Sequence, residues 1–158
     1  RLVKHLNGLT PDAFIEKLGD YFDVEPMLVP GKPTQRHEIT ACVEGKWVKM
    51  RCKASLFETK DPVKVLDPEI LTEYVLSPIL GIDDLKTSDD IDFIPGTQDL
   101  EKVVGKIASG EFKAAFFLFP VEIEDIKRVA DHNLTMPPKS TWVEPKLRSG
   151  LTIYNINE

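Results

Sequence analysis

The sequence predicts one α+β domain with a mixed sheet: an antiparallel hairpin, one right-handed β-α-β crossover and about four flanking helices. Three observations predict this class. Strand-like alternation flanks a glycine turn between residues 38 and 52, strand and helix patterns alternate between residues 91 and 119, and apolar residues recur at helical spacing in four segments. With 158 residues and 42% hydrophobic residues, the whole range 1–158 suits a single hydrophobic core.

Helix-start signals open the first two predicted helices. Thr10-Pro11-Asp12 combines an N-cap, a proline at the first helical position and an acid in the first turn, and it predicts a helix to about Tyr21. Asp67-Pro68-Glu69 repeats this pattern and predicts a second helix that Pro78 ends. The predicted buried faces are Phe14, Ile15, Leu18 and Phe22 in the first helix and Ile70, Leu71, Tyr74 and Val75 in the second. Prolines between residues 25 and 34 predict a loop.

The segment from residue 38 to residue 52 is predicted to be a β-hairpin that turns at Glu44-Gly45. With a two-residue loop, Cys42 and Cys52 point to opposite faces, which excludes a disulfide between them. A three-residue loop with a bulge would shift one strand and weaken this exclusion. The predicted pairs are Glu38 with Arg51 and Cys42 with Trp47, and the predicted core face is Ile39, Ala41, Val43, Val48, Met50 and Cys52.

The rest of the chain predicts a crossover and a fourth helix. A short strand over residues 91–94, a helix capped by Thr97 and ended near Gly110, and an apolar central strand over residues 114–119 imply parallel neighbours. A helix over residues 122–131 should bury Ile123, Ile126, Val129 and Ala130. An extended piece near residues 142–144 and a last strand near residues 151–156 complete the prediction.

Composition excludes several functional classes. The net charge of −6 disfavours binding to nucleic acid, because long-range electrostatics repel a polyanion. The longest apolar run, residues 114–120, is far shorter than the roughly 18 residues that span a bilayer, so no membrane contact is predicted. Two cysteines are too few for a disulfide framework, and a cytoplasmic location is expected.

No catalytic motif, metal site or cofactor is predicted. The three histidines, His5, His37 and His132, have no carboxylate or cysteine at ligand spacing in the sequence. Acid pairs that could serve in acid/base chemistry lie at a helix start (Asp67 and Glu69) or in an acidic turn (Asp83 and Asp84), where capping and solvation explain them. Phosphate-binding glycine loops and nucleophile elbows are absent.

One segment, residues 136–150, combines restricted backbone with basic and hydroxyl side chains. Its candidate anion-binding residues are Lys139, Ser140, Thr141, Lys146 and Arg148, with Glu144 as its single acid. Ammonium, guanidinium and hydroxyl groups each donate hydrogen bonds to a phosphate or carboxylate oxygen. The alternative is a rigid crossing loop whose lysine and serine side chains cap nearby carbonyls.

Both ends of the chain carry a family resemblance. Val129-Ala130-Asp131, Met136-Pro137-Pro138-Lys139-Ser140-Thr141, Pro145-Lys146 and Ser149-Gly150-Leu151 together resemble the C-terminal end of DUF1015, a prokaryotic family of unknown function. The opening segment Arg1-Leu2-Val3-Lys4-His5-Leu6-Asn7-Gly8-Leu9 is similar to that family's mid-chain sequence. The resemblance implies that the chain is the C-terminal part of a longer protein. The N-terminal half of the family carries an Asp-Gly-His-His-Arg motif, which this chain lacks and which underlies the label ParB-related.

Three functions are therefore expected as alternatives. The first is a noncatalytic C-terminal domain that packs against an N-terminal half and contributes its basic loop to a site for a phosphorylated small molecule. The resemblance to ParB-related proteins, some of which bind nucleotides or phosphorylate free serine, implies the second, a nucleotide-dependent small-molecule kinase whose catalytic motif lies in that other half. The third is a purely structural or oligomerising domain.

Overall fold

The computed structural model describes residues 1–141 and confirms the α+β class. Its six strands are β1 (Leu2–Val3), β2 (Phe22–Pro26), β3 (Glu38–Val43), β4 (Lys46–Cys52), β5 (Ile91–Asp92) and β6 (Ala114–Leu118). Its α-helices are α1 (Pro11–Leu18), α2 (Asp67–Leu71), α3 (Leu100–Ala108) and α4 (Ile123–Asp131). A 3₁₀ turn covers Ala54–Leu56, and a π-helical turn, Thr72–Leu76, directly follows α2. The extended piece and last strand predicted after residue 141 lie outside the described residues.

The strands form one sheet in the order β2-β4-β3-β6-β1-β5. Every ladder within residues 1–141 is antiparallel, so the mixed sheet predicted from the sequence is wrong in that range. Strands β5 and β6, which α3 connects, do run in the same direction. They are not neighbours, because β1 lies between them and pairs Leu2 with Asp92 on one side and Ala115 on the other.

The hairpin has the predicted register. Glu38 lies opposite Arg51, and Cys42 lies opposite Trp47. Glu44 and Gly45 adopt φ values of 45° and 89°, the positive pair that a two-residue type I′ turn requires. Both cysteines are free and buried.

Two hydrophobic clusters cover opposite faces of the sheet. The larger contains the predicted hairpin core face together with apolar residues of α1, α2 and the π-helical turn. The second contains Leu2, Cys42, Val103, Ile107, Phe112 and Ala115. Strand β3 is therefore buried on both faces. On the face outside the predicted core, α3 packs over Cys42, and residues 31–34 contact Glu38 and Thr40. The predicted central position of β6 is confirmed, since it lies between β3 and β1.

Three local predictions need correction. Helix α1 ends at Leu18, and Phe22 begins β2, which extends to Pro26 into the region predicted as loop. Helix α3 is preceded by Asp99 at the N-cap position rather than Thr97. Antiparallel pairing of β2 with β4 explains the first difference, because partner strands can impose extended structure on a segment without strong local strand signals.

Helix α4 turns a different face inward from the one predicted. Val129 and the carboxylate of Asp125 are buried, whereas Ile123 is 68% exposed and Ala130 is also exposed. Asp125 accepts a hydrogen bond of 2.9 Å from Arg36 Nη1, and this ion pair draws a polar position toward the protein. No helix within residues 1–141 is both long and apolar enough to cross a membrane.

Candidate functional site

His37 and Asp67 form a close pair between the start of β3 and the start of α2. His37 Nδ1 lies 2.9 Å from Asp67 Oδ1, and both carboxylate oxygens accept the backbone N–H of His37 at 3.1 Å. Asp67 is 6% exposed, while His37 remains partly accessible. An ionised carboxylate only accepts hydrogen bonds, so the contact places the imidazole proton on Nδ1. The pair therefore fixes both the tautomer and the position of His37.

The backbone and ring of His37 are constrained from other directions. Its φ is 61°, in the left-handed region that a residue with a side chain rarely adopts. Its carbonyl accepts the N–H of Cys52 at 2.8 Å, and its ring stacks on Phe57 with centroids 4.0 Å apart. Such a conformation persists when the surroundings over-determine it, and these contacts do so.

Cys52 completes a cluster with this pair. One ligand atom each from His37, Cys52 and Asp67 lies within 4.8 Å of the other two. Burial, followed by the charge of Asp67, raises the pKa of Cys52 to about 12. Because the thiolate is the nucleophilic form, Cys52 in this state is not a nucleophile at neutral pH. These three residues form the His37–Cys52–Asp67 cluster.

The sequence offers His37 no carboxylate or cysteine at ligand spacing, but the fold brings Asp67 and Cys52 close to it. Asp67 is 30 residues from His37, so no local ligand spacing reveals the pair. The acid at the start of α2 suggested a helix cap, but Asp67 is the first helical residue and makes no capping bond. His5 also lies near a carboxylate, 3.3 Å from Asp90, in an exposed position.

A small cleft adjoins the cluster through Asp67. Arg36, Asp67 and Asp125 line it together with Leu66, Pro68 and residues 119–121. The guanidinium of Arg36 faces Asp125 at 2.9 Å, and Asp125 also accepts the N–H of Glu122 at 3.3 Å in the capping box of α4. The charge of Arg36 is therefore already paired within the protein.

The predicted anion loop begins with a tight turn. The backbone N–H and the hydroxyl of Ser140 both donate to the Pro137 carbonyl, at 3.3 and 2.7 Å. Lys139 adopts φ 54° at the third position of this turn, as a type II turn requires. Pro137 is buried, whereas Lys139 and Thr141 are exposed. Lys146 and Arg148 lie outside the described residues.

Arg1 is a buried cation that the sequence analysis did not single out. Its Nη1 donates to Thr72 Oγ1 at 2.8 Å, its guanidinium carbon lies 5.5 Å from the centre of the Phe93 ring, and its Nη2 has no hydrogen-bond partner within residues 1–141. Burial lowers the pKa of the Arg1 guanidinium to about 10, and the charge of Glu69 opposes this change. Thr72 begins the π-helical turn, a type of irregularity that is frequent at functional sites.

Comparison with protein families gives a match over the first part of the chain. The model of the family described as "Protein of unknown function (DUF1015)" matches residues 1–69. Over those residues the chain is similar to DUF1015. No curated protein and no solved structure matches the chain. The match confirms the family resemblance of the opening segment, while the place of the chain as the C-terminal part of a longer protein stays a prediction.

The DUF1015 match contains one of the two candidate regions. The His37–Cys52–Asp67 cluster lies wholly within residues 1–69, as does Arg1. The anion loop lies after the matched range, so its likeness to the end of DUF1015 stays a resemblance. In the described part of the loop, the Ser140 hydroxyl already donates to Pro137, which leaves Lys139 and Thr141 as the available donors.

Proposed function

We propose that this chain is a noncatalytic binding domain that presents the loop from Lys139 to Arg148 to the phosphate or carboxylate group of a small phosphorylated ligand. The site is shared with an N-terminal half of the intact protein, as the resemblance to DUF1015 implies. The observation that carries the proposal is the position of Lys139 at the exposed corner of the turn that Pro137 and Ser140 close.

The turn presents the Lys139 side chain from a restricted backbone. Pro138 restricts φ at the second position, and the two bonds from Ser140 to the Pro137 carbonyl close the turn. A restricted backbone lowers the entropy lost when a ligand binds. Ser140 therefore supports the site mainly by holding the turn, and Lys139 supplies the charge.

The Lys139 side chain is exposed to solvent. Within residues 1–141, the Lys139 ammonium has no carboxylate at salt-bridge distance, unlike Lys127, which contacts Glu124 at 2.9 Å. A lysine ammonium is a compact point charge that suits phosphate binding. Lys146 and Arg148 follow in the sequence and add two further cations.

The acidic balance of the chain limits the kind of ligand. With a net charge of −6, the chain repels a long polyanion before short-range contacts form. A small phosphorylated metabolite or nucleotide carries less charge and contacts only the basic loop. The proposed ligand is therefore a small anion and not a nucleic acid.

Thermal unfolding of the intact protein with phosphate, nucleotides and phosphoserine tests the proposal. A ligand at a hundredfold excess over Kd stabilises the folded state by about 2.7 kcal/mol, which raises the midpoint by a few degrees. Lys139→Ala should abolish the rise produced by one ligand class. Lys127→Ala, which removes another exposed lysine, should retain it.

The competing functions give different results in the same experiment. Consumption of ATP or ADP with a phosphorylated product would support the kinase alternative. The absence of any shift across the panel would support a structural or oligomerising domain. A shift that survives in Lys139→Ala would remove this loop from the ligand site.

A further inference from the structure

We propose that the His37–Cys52–Asp67 cluster binds a divalent transition-metal ion of the zinc type. These three residues are distinct from the residues of the proposed anion site. One nitrogen, one sulfur and one oxygen ligand atom all lie within 4.8 Å of one another, so a single ion can bridge the three side chains.

The donor set selects the class of ion. Zinc binds cysteine sulfur at about 2.3 Å, histidine nitrogen at about 2.0 Å and carboxylate oxygen at about 2.1 Å. Calcium and magnesium prefer ligand sets made of oxygen, so a thiolate and an imidazole disfavour them. The combination of His37, Cys52 and Asp67 therefore fits zinc better than either of these hard cations.

Small movements suffice to form the site. Tetrahedral zinc holds its ligand atoms roughly 3.3 to 3.6 Å apart, as follows from its bond lengths. His37 Nδ1 and Asp67 Oδ1 are now 2.9 Å apart and share a hydrogen bond, and the largest separation in the cluster is below 4.8 Å. Binding would require the imidazole proton to move from Nδ1 to Nε2, so that the hydrogen bond gives way to one bond from each residue to the ion, and it would draw the Cys52 sulfur inward.

The backbone holds the three ligands in place before an ion arrives. Cys52 is the last residue of β4 and donates its N–H to the carbonyl of His37, and His37 donates its own N–H to Asp67. Phe57 stacks on the imidazole ring and restricts its rotation. Outer-shell contacts of this kind orient metal ligands.

Three protein ligands leave one position of a tetrahedral ion open. His37 is the most exposed of the three, at 22%, compared with 8% for Cys52 and 6% for Asp67. Solvent therefore reaches the cluster mainly from the His37 side, and a water molecule would supply the fourth ligand there. Cys52 loses its thiol proton to solvent when the metal–sulfur bond forms, so binding should weaken as the pH falls.

Cobalt titration of the full chain, after removal of metal with a chelator, tests the proposal. A cobalt–thiolate bond gives a near-ultraviolet charge-transfer band, which should saturate at one equivalent of Co²⁺ and disappear when Zn²⁺ is added. Cys52→Ala should lose the band. Cys42→Ala is the matched control and should keep the band. Cys42 is also buried in the hairpin, but it lies in the second hydrophobic cluster, on the opposite face of the sheet from Cys52.

Two further readouts protect the test against a variant that fails to fold. His37→Gln keeps both cysteines, and it should weaken Zn²⁺ binding at least tenfold by calorimetry. Zn²⁺ should raise the thermal midpoint of the wild type and of Cys42→Ala. The absence of a band in the wild type, or a band that survives in Cys52→Ala, would overturn the proposal. Loss of phosphate binding in Lys139→Ala would leave it unaffected.

Discussion

The carboxylate of Asp67 accepts the backbone N–H of His37 with both oxygens at 3.1 Å while its Oδ1 lies 2.9 Å from His37 Nδ1. This contact joins the entry to β3 with the first residue of α2 across 30 residues of sequence. Asp67 therefore stabilises the connection between sheet and helix in the absence of metal, and the same carboxylate provides a metal ligand in its presence.

Asp67→Ala should lower the free energy of unfolding of chelator-treated protein by about 1.5 to 3 kcal/mol, the range for hydrogen bonds to a charged group. The variant leaves the partly buried N–H of His37 without its acceptor. Asp67→Asn keeps one carbonyl acceptor and should lose less. Urea unfolding measures both, and Asp89→Ala, at an exposed position, should change stability by less than about 0.5 kcal/mol. Equal stability of Asp67→Ala and wild type would contradict the role of this contact.

The Cys52 thiol should make metal-free protein sensitive to alkali. Its pKa is raised from 9.0 to about 12, so the folded state binds the proton more tightly than the unfolded state does. The contribution of this pKa difference to the free energy of unfolding is fully present below about pH 9 and is lost as the pH rises toward 12. A shift of this size corresponds to about 4 kcal/mol.

Urea unfolding between pH 8 and pH 11 measures this loss as the difference between wild type and Cys52→Ala. The difference isolates the thiol, because lysine and arginine side chains titrate in both proteins. The wild type should lose stability more steeply. Parallel profiles for the two proteins would show that the thiol ionises with an ordinary pKa in the folded state.

Arg36 and Asp125 should show strong energetic coupling. Asp125 is 4% exposed, so Arg36→Ala leaves a buried carboxylate without its closest cation and should cost about 3 kcal/mol. The double variant Arg36→Ala with Asp125→Ala should cost less than the sum of the single variants. Lys127→Ala breaks an exposed pair with Glu124 on the same helix and should cost less than about 0.5 kcal/mol. Additive costs in the double-mutant cycle would show that Arg36 and Asp125 act independently.

Gly45 and Gly96 form a matched test of the hairpin turn. A Cβ atom at either position meets no atom within 4 Å, but Gly45 has φ 89° and Gly96 has no positive φ. Gly45→Ala should therefore cost about 1 to 2 kcal/mol through backbone strain alone. Gly96→Ala should be neutral or slightly stabilising. Similar unfolding midpoints for the two variants in urea would contradict a turn that requires positive φ at position 45.

The hairpin register could be predicted because alternation and Glu44-Gly45 are local signals that agree with each other. Strand β1 could not, since two residues show no periodicity and their pairing depends on the edges that β5 and β6 present. The sequence consequently predicts a crossover between neighbouring strands, whereas β1 lies between β5 and β6. The class of the fold follows from local patterns, whereas the order of its strands follows from distant pairing.

The two candidate regions differ in the same way. The anion loop stands out in the sequence because Lys139, Ser140 and Thr141 are adjacent. The His37–Cys52–Asp67 cluster assembles from the turn before β3, the end of β4 and the start of α2, and in the sequence its Asp67 resembles an ordinary helix-start acid. The signal that could have found it is the hairpin register, which, extended by one pair beyond Glu38 and Arg51, places His37 opposite Cys52.

Lys139→Gly should separate the charge of Lys139 from its backbone conformation. Lys139 has φ 54°, which glycine adopts without strain, so the substitution relieves the turn while it makes the unfolded chain more flexible. These effects oppose each other, and the free energy of unfolding should stay within about 0.5 kcal/mol of the wild type. Binding of the phosphorylated ligand by the intact protein should be lost as fully as in Lys139→Ala, because both variants lack the ammonium group. Calorimetry with the ligand class that stabilises the wild type measures this loss. If Lys139→Gly kept wild-type affinity, the shape of the turn rather than the lysine charge would hold the anion.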